Sequence, residues 1–131
     1  MRLVNLTPHP VTLFTADTPT EVDDPAAGVL ASWPVAGPMA RCSEIRADLA
    51  VLAVDGPDGA PVRVPMTEVG FGEVSDLPEP REGVLFIVSR ATAERASGRA
   101  DVVYPDLQVR TPQDQGGRIL GCRALARVST T

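Results

Sequence analysis

The sequence contains no lysine, and this absence shapes the charge of the whole chain. All twelve basic residues are arginine, they face 17 acidic residues, and the formal net charge is −5. The arginines are spread between acids instead of forming a basic stripe, so we expect no extended nucleic-acid binding. Arginine is abundant together with Ala, Val, Gly and Pro, as a GC-rich genome favours, so its use alone does not indicate a ligand.

Cysteine is equally scarce, with only Cys42 and Cys122 in the chain. They are far apart and lack the CxxC or histidine spacing of a zinc site, so we predict neither a metal nor another cofactor. The first residues lack the apolar stretch of a signal peptide, and no apolar run approaches the roughly 18 residues that suggest a membrane span. These features predict a cytoplasmic protein with free thiols and no membrane partner.

Aromatic residues make up 4% of the chain and apolar residues 44%, mostly Val, Leu and Ala. A chain of 131 residues fits a single domain over residues 1–131. Its core must therefore be assembled from small aliphatic side chains. Trp33, the only tryptophan, is expected to fill part of this core because large aromatics bury the most surface.

Short apolar runs separated by turn residues predict strands along most of the chain. Arg2–Leu6 and Val11–Thr15 flank two prolines, which predicts an opening hairpin. Leu49–Val54 and Pro61–Pro65 flank a second turn, Asp55–Gly59, whose DG pairs are typical of hairpins.

The second half of the chain begins with its most apolar run, Val84–Val88, which predicts a strand in the middle of a sheet. A short helix over Ala91–Ser97 should begin at Ser89 or Arg90 and end at Gly98. Arg118–Val128 should form a closing strand with a bulge at Gly121. Seven to nine short strands and one or two short helices predict a β-rich α+β fold, with a small mixed or antiparallel sheet or a barrel-like core.

The first candidate site is the segment from Asn5 to Pro10. His9 is the only histidine, and histidine is the residue type most often used as general acid or base, so His9 is the natural candidate for that role. Asn5 and Thr7 would share its face if the strand continued, and they are the candidate orienting groups. The alternative is a hairpin turn in which Thr7 caps an amide and the imidazole is solvated.

The second candidate site follows the most apolar strand. Ser89 and Arg90 open the short helix, where free backbone amides favour an anion. Arg99, Asp101 and Asp106 come after it and would act as a clamp and as acceptors. The alternative is that Ser89 is an ordinary helix cap and Arg99 and Asp101 form an ordinary ion pair.

Five segments of the chain resemble a group of short bacterial proteins, actinobacterial ones among them, and phage proteins that open with an NLTPH motif. The resemblance does not cover Ala16–Ala40. It implies a phage, prophage or mobile-element setting, and it implies no activity. The segments are Asn5–His9, Phe71–Val74 with Leu77-Pro78, Phe86–Ser89, Arg99–Val102 with Pro105, and Ile119–Arg123.

Three hypotheses for the function follow. The first is a binding protein for a small anionic ligand, such as a nucleotide or metabolite, at the residues around Ser89 and Arg99. The second is a small hydrolase or lyase that uses His9 as general acid or base. The third is a protein-interaction or assembly subunit, which includes association with copies of itself. The first two expect His9 and the pair Arg99 and Asp101 to meet at one concave surface.

Overall fold

The fold is β-rich α+β, as predicted, and a computed structural model describes residues 1–129 of it. Within these residues the six-stranded sheet is mixed, and two further strands form a separate sheet. The elements in chain order are β1 Arg2–Asn5, β2 Val11–Phe14, β3 Val29–Trp33, β4 Arg41–Asp55, β5 Pro61–Ser75, β6 Val84–Ile87, helix α1 Arg90–Arg95, β7 Val102–Arg110, a 3₁₀ turn Gln113–Gln115, and β8 Ile119–Ala126.

The large sheet has the strand order β1-β6-β7-β8-β2-β3. β6 lies between β1 and β7 and is parallel to both, whereas β7 and β8 are antiparallel. The predicted opening hairpin is therefore wrong, because β1 pairs with β6 while β2 pairs with β8 and β3. The apolar β6 needs a neighbour on each side to satisfy its backbone, and the proline-containing connection carries the chain away from β1 instead of returning it alongside.

The two edge strands of this sheet approach each other, which makes the core barrel-like. Asn5 at the end of β1 forms a parallel bridge with Val35, just after β3. The amide of Ala36 donates to the carbonyl of Asn5 at 2.9 Å. Partial closure shelters backbone groups that an open edge would leave to water.

The core is centred on β6. Phe86, Ile87 and Val88 are completely buried, which confirms the prediction of a central strand. Trp33 does not fill the core as expected and is only partly buried. Phe14 and Phe86 take that place because they lie on strands covered on both sides.

Helix α1 crosses from β6 to β7 and begins as predicted. Ser89 is its N-cap and accepts a hydrogen bond from the amide of Thr92. The helix ends at Arg95 with Ala96 as C-cap, so the predicted stop at Gly98 is wrong. Ala96 closes the helix with φ of −102°, and a left-handed glycine is not needed there.

The predicted hairpin around Asp55–Gly59 is confirmed but is far longer than the sequence indicated. β4 and β5 pair along 15 residues each and form the second sheet. We call this hairpin, Arg41–Ser75, the β-arm. Its root is held by α1, where Arg95 Nη2 donates to the carbonyl of Phe71 at 2.8 Å.

The predicted bulge near Gly121 is present. The β7–β8 register shifts after Val109, which faces Gly121, so that Arg110 faces Ile119. At Gly121 the chain passes so close to β2 that a Cβ would collide with the carbonyl of Thr12 and lie 2.8 Å from Phe14. Glycine therefore permits the close approach of β8 and β2.

Candidate functional site

The segment after β1 is a compact hydrogen-bonded turn organised by Asn5. The side chain of Asn5 is 1% exposed, and its Oδ1 accepts from the amide of Thr7 at 2.9 Å. Its Nδ2 donates to the carbonyls of His9 at 2.8 Å and Trp33 at 3.0 Å. Asn5 thus fixes the turn and ties it to the end of β3.

Thr7 belongs to the same network. Its Oγ1 lies 2.7 Å from Asn5 Oδ1 and 2.8 Å from the carbonyl oxygen of His9, and its single proton serves one of them at a time. Both Asn5 and Thr7 contact the backbone of His9 and leave its imidazole exposed. The two residues predicted to orient the imidazole therefore hold the chain beneath it.

The imidazole of His9 borders a cavity of about 300 Å³, lined among others by Val11, Leu120 and Cys122. Cys122 is completely buried, and its sulfur lies 3.7 Å from the carbonyl oxygen of Thr12. Burial raises the pKa of the Cys122 thiol and keeps it protonated. His9 and Cys122 border one space, but this thiol is not an activated nucleophile.

The hydroxyl of Ser89 is engaged in capping the N-terminus of α1. Its Oγ accepts from the amide of Thr92 and also donates to Thr92 Oγ1 at 3.0 Å. α1 is six residues long, so its amides make a weak site for an anion. Ser89 therefore fits the structural alternative that the sequence left open.

Arg99 and Asp101 form a bidentate ion pair. Arg99 Nε and Nη2 lie 2.8 Å from the two carboxylate oxygens of Asp101, and Nη2 also donates to the carbonyl of Pro78. The hydrogen bonds from Arg99 lower the pKa of Asp101 despite its partial burial. Most N–H donors of the Arg99 guanidinium are thus already hydrogen-bonded to groups of the protein.

The structure does not place Arg99 beside His9. Ser89 precedes α1 and Arg99 follows it, so the two lie at opposite ends of the crossover. Arg99 borders a cavity of about 420 Å³ with Arg127, whereas His9 borders the cavity beside Cys122. Parallel pairing of β6 and β7 forces this separation, because the crossover leaves the C-terminal end of β6 and must return to the opposite end of the strands before β7 begins.

Arg90 and Asp106 do meet, in a third cavity of about 450 Å³ that we call the arginine pocket. Arg90 stacks on Tyr104, with its guanidinium carbon 5.8 Å from the ring centre, and forms a surface ion pair with Glu94. The remaining lining residues are Thr20, Pro105, Leu107, Gln108, Arg110 and Arg123.

The sequence analysis missed Arg110 and Arg123. They come from the antiparallel strands β7 and β8, and pairing of these strands brings both of them into the lining of the pocket. The only pattern that could have found them is polar residues in two strands predicted to flank one turn. Their meeting depends on the β7–β8 register, which the sequence leaves open.

Both guanidiniums are held in place by neutral groups. Arg123 donates to the carbonyls of Thr18 at 2.8 Å and Leu107 at 3.4 Å, with Thr20 Oγ1 at 3.5 Å. Arg110 donates to the carbonyl of Gly117 at 3.2 Å and to Gln108 Oε1 at 2.6 Å. These partners orient the two side chains without neutralising their charge.

Neither Arg110 nor Arg123 forms an ion pair with a carboxylate anywhere in residues 1–129. Each guanidinium has five N–H donors, so N–H groups remain free on both. Both residues are partly buried, where a charge interacts more strongly than at the surface. Two arginines without an ion pair therefore share one pocket in an acidic protein, and Asp106 lines the same pocket without pairing with either of them.

Leu107 in the pocket wall has a left-handed backbone, with φ of 55°. This conformation costs a non-glycine residue about 1–2 kcal/mol. Its side chain is 53% exposed and gains little from packing. Its carbonyl accepts from Arg123, so the unusual backbone helps to position that arginine.

The His9 cavity and the arginine pocket have Pro105 and Gln108 as common lining residues. His9 and Arg90 thus line two neighbouring cavities. Among residues 1–129, no three side chains of the His, Cys, Asp and Glu types gather as a metal site would need.

No helix in residues 1–129 has the length and apolar character needed to traverse a lipid bilayer. Comparison of the chain with protein-family profiles, with curated proteins and with solved structures finds no match in any of the three.

Proposed function

We propose that this protein binds a small anionic ligand, such as a nucleotide or an acidic metabolite, in the arginine pocket. One observation carries the proposal: Arg110 and Arg123 line a cavity of about 450 Å³ without an ion pair to any carboxylate of residues 1–129, including Asp106 of the same lining. A partly buried charge without a counter-ion is costly, and an anion bound between the two guanidiniums would remove that cost. The chain as a whole carries a net negative charge, so two arginines without an ion pair differ in charge from the rest of the molecule.

The chemistry of the pocket favours a phosphate or carboxylate group joined to a planar polar part. A guanidinium recognises either anion through a two-pronged hydrogen bond. Tyr104 with the stacked Arg90 offers a flat surface for a ring. Asp106 and Gln108 add acceptors for hydroxyl or amino groups of the same ligand.

The size of the pocket agrees with this class of ligand. Small-molecule sites have volumes of about 300–1,000 Å³ and a few convergent polar groups. Of the five residues predicted to bind an anion, Arg90 and Asp106 line this pocket, and Ser89, Arg99 and Asp101 do not. The proposal keeps the predicted class of ligand and moves its site from the start of α1 to β7 and β8.

A hydrolase or lyase that uses His9 is the less supported proposal. The imidazole borders a cavity next to the arginine pocket, but Asn5 and Thr7 bind its backbone and Cys122 is held as a thiol. A general base acts best when a second group orients it. We also propose a cytoplasmic setting, from the two scarce and separated cysteines, and an association with phage or mobile elements, from the resemblance of the motif alone.

The experiment is a thermal-shift screen with inorganic phosphate, citrate and adenosine or guanosine mono- and diphosphates. A ligand present at a hundred times its dissociation constant stabilises a protein by about 2.7 kcal/mol, which raises the Tm of a chain this size by roughly 10 °C. Arg110→Gln should weaken binding by tenfold or more, as expected for loss of a charge-assisted hydrogen bond of about 1.5–3 kcal/mol.

Arg81→Gln is the matched control, because Arg81 is exposed and does not line the pocket. It should leave binding unchanged. The proposal is wrong if no compound of the panel shifts the Tm, or if the shift is the same in Arg110→Gln and Arg81→Gln.

A further inference from the structure

The two faces of the β-arm differ sharply in polarity. In an antiparallel pair, residues directly opposite each other share a face, and successive residues alternate between faces. The register pairs Ala50 with Met66, Leu52 with Val64 and Val54 with Val62, and towards the root Ala47 with Glu68 and Ile45 with Gly70. Glu68 is the only charged residue on this surface, which we call the apolar face of the arm.

The opposite face carries the charges and the prolines. Its pairs are Glu44 with Phe71, Arg46 with Val69, Asp48 with Thr67, Val51 with Pro65, Ala53 with Arg63 and Asp55 with Pro61. The arm is therefore an amphipathic two-stranded sheet. Such a sheet normally covers its apolar side with another layer, because a lone hairpin is marginally stable in water.

In a single chain this apolar face is open to solvent. Ile45 is 65% exposed, Leu52 40%, Val64 38% and Met66 41%. The core of the six-stranded sheet is formed by other residues. The exposed side chains are contiguous, which distinguishes them from the scattered apolar residues found on any protein surface.

We propose that the apolar face of the β-arm packs against the same face of a second copy of this chain. A two-fold axis lets identical apolar surfaces cover each other, as in most homodimers. The large side chains of this face leave on the order of 500 Å² open on each arm, so two arms bury on the order of 1,000 Å², about the least that a specific interface needs. These side chains are Ile45, Leu52, Val54, Val62, Val64 and Met66. The dimer is a four-stranded sandwich of two arms.

Charge and edge geometry both favour this occupant. The apolar face offers only Glu68 to attract a charged partner, so a second apolar surface suits it best. The amide of Gly56 donates to the carbonyl of Ala60, so the backbone groups of Ala60 face β4. Because these groups alternate in direction along a strand, the amide positions of residues 61, 63 and 65 face away from β4. Two of these are prolines, so the outer edge of β5 is poorly suited to accept another strand, which favours association through the face.

The test compares two glutamate variants of the same arm by sedimentation equilibrium over a range of concentrations. Val64→Glu places a charge in the centre of the apolar face, and Val51→Glu places the same charge on the polar face of the same segment. Wild-type protein should dimerise, Val64→Glu should raise the dimer dissociation constant at least tenfold, and Val51→Glu should leave it within twofold.

Leu52→Glu, directly opposite Val64, is a second variant and should repeat the loss. Circular dichroism and the melting of dilute samples check that each variant keeps its fold. A wild-type chain that stays monomeric at about 1 mM, a trimer or larger ring, or equal effects of Val64→Glu and Val51→Glu would each overturn the proposal. Equal effects would indicate pairing through the strand edge of β4 instead of the face.

Discussion

At the scale of single residues, the most consequential side chain is Asn5. A histidine in a motif attracts attention as a catalyst, yet the motif here is built around the buried side-chain amide of Asn5, which binds the backbone of His9 directly. Asn5 joins the end of β1, the carbonyl of His9 and the carbonyl of Trp33. The NLTPH segment therefore secures the closure of the sheet.

The replacement Asn5→Ala should lower the free energy of unfolding by about 2–4 kcal/mol, because it leaves several buried backbone groups without partners. His9→Ala should change it by less than about 0.5 kcal/mol, since the imidazole is exposed. Urea unfolding of both variants measures the difference. A larger loss in His9→Ala than in Asn5→Ala would show that the imidazole, and not the amide, holds the turn.

The ion pair of Asp101 with Arg99 gives a prediction about pH. The pKa of Asp101 is lowered in the folded protein, so the pair contributes stability above the ordinary aspartate pKa of about 3.9, and this contribution is lost as the pH falls through the lowered value. Asp101→Asn should lower the free energy of unfolding at pH 7 by about 1–2 kcal/mol.

Urea unfolding as a function of pH tests this. The difference between the wild type and Asp101→Asn should shrink below about pH 4, where the unfolded carboxyl is protonated. Asp23→Asn, at an exposed position, should show no such difference at any pH. A difference that stays constant down to pH 2 would mean that the pair does not titrate as the geometry requires.

At the scale of elements, β7 differs from a regular strand at Leu107. Its left-handed backbone lies where β7 borders the arginine pocket, and Gln108 resumes regular pairing with Cys122. Strained backbone that persists next to a polar cavity is common at ligand sites. The left-handed backbone of Leu107 therefore lowers the local stability of β7, and it places the carbonyl that accepts a hydrogen bond from Arg123.

Leu107→Gly should be more stable than Leu107→Ala by about 1 kcal/mol, because glycine alone adopts the left-handed conformation without strain. Ala124→Gly in regular β8 should instead lose about 0.5–1 kcal/mol. Thermal and urea unfolding provide the comparison. If Leu107→Ala is the more stable of the two, the backbone at residue 107 is an ordinary strand in solution.

At the scale of the whole molecule, the arginine pocket and the β-arm are separate features. The lining of the pocket contains no residue of the arm, whose root contacts α1. Ligand binding and self-association should therefore be independent, as changes at sites without shared partners usually are.

We expect Arg110→Gln to leave the dimer dissociation constant unchanged and Val64→Glu to leave ligand affinity unchanged. The double variant should show the sum of the two losses within about 0.5 kcal/mol. Calorimetry with a ligand from the thermal-shift panel, together with sedimentation, measures both quantities in all variants. An affinity that falls on dissociation of the dimer would show instead that association completes the pocket.

Much of the fold could be predicted because local patterns decide it. The DG turn specified the β4–β5 hairpin, and the uninterrupted apolar run specified β6 as a central strand. Ser89 specified the start of α1. Each of these depends on residues that are neighbours in sequence, so their physical cause is present before the chain folds.

The order of the strands in the sheet could not be predicted from the sequence. Arg2–Leu6 and Val11–Thr15 look like partners, but β1 joins a strand about 80 residues away. The same holds for the lining of the arginine pocket, since the sequence analysis named Arg90 and Asp106 but not Arg110 and Arg123. Their convergence requires the β7–β8 register, because a shift of β8 by one residue against β7 would turn the side chains of β8 to the other face of the sheet.

The sequence alone therefore determined the β-rich class, the central strand, the capped helix and the tip of the arm, because periodicity and turn chemistry act over a few residues. The tertiary structure alone decided which strands are neighbours, that Asn5 holds the turn, that the arm stands outside the large sheet, and where unpaired arginines meet. Those outcomes depend on contacts between segments that are distant in sequence. The free energy of such contacts depends on both segments, so it cannot be inferred from either segment alone.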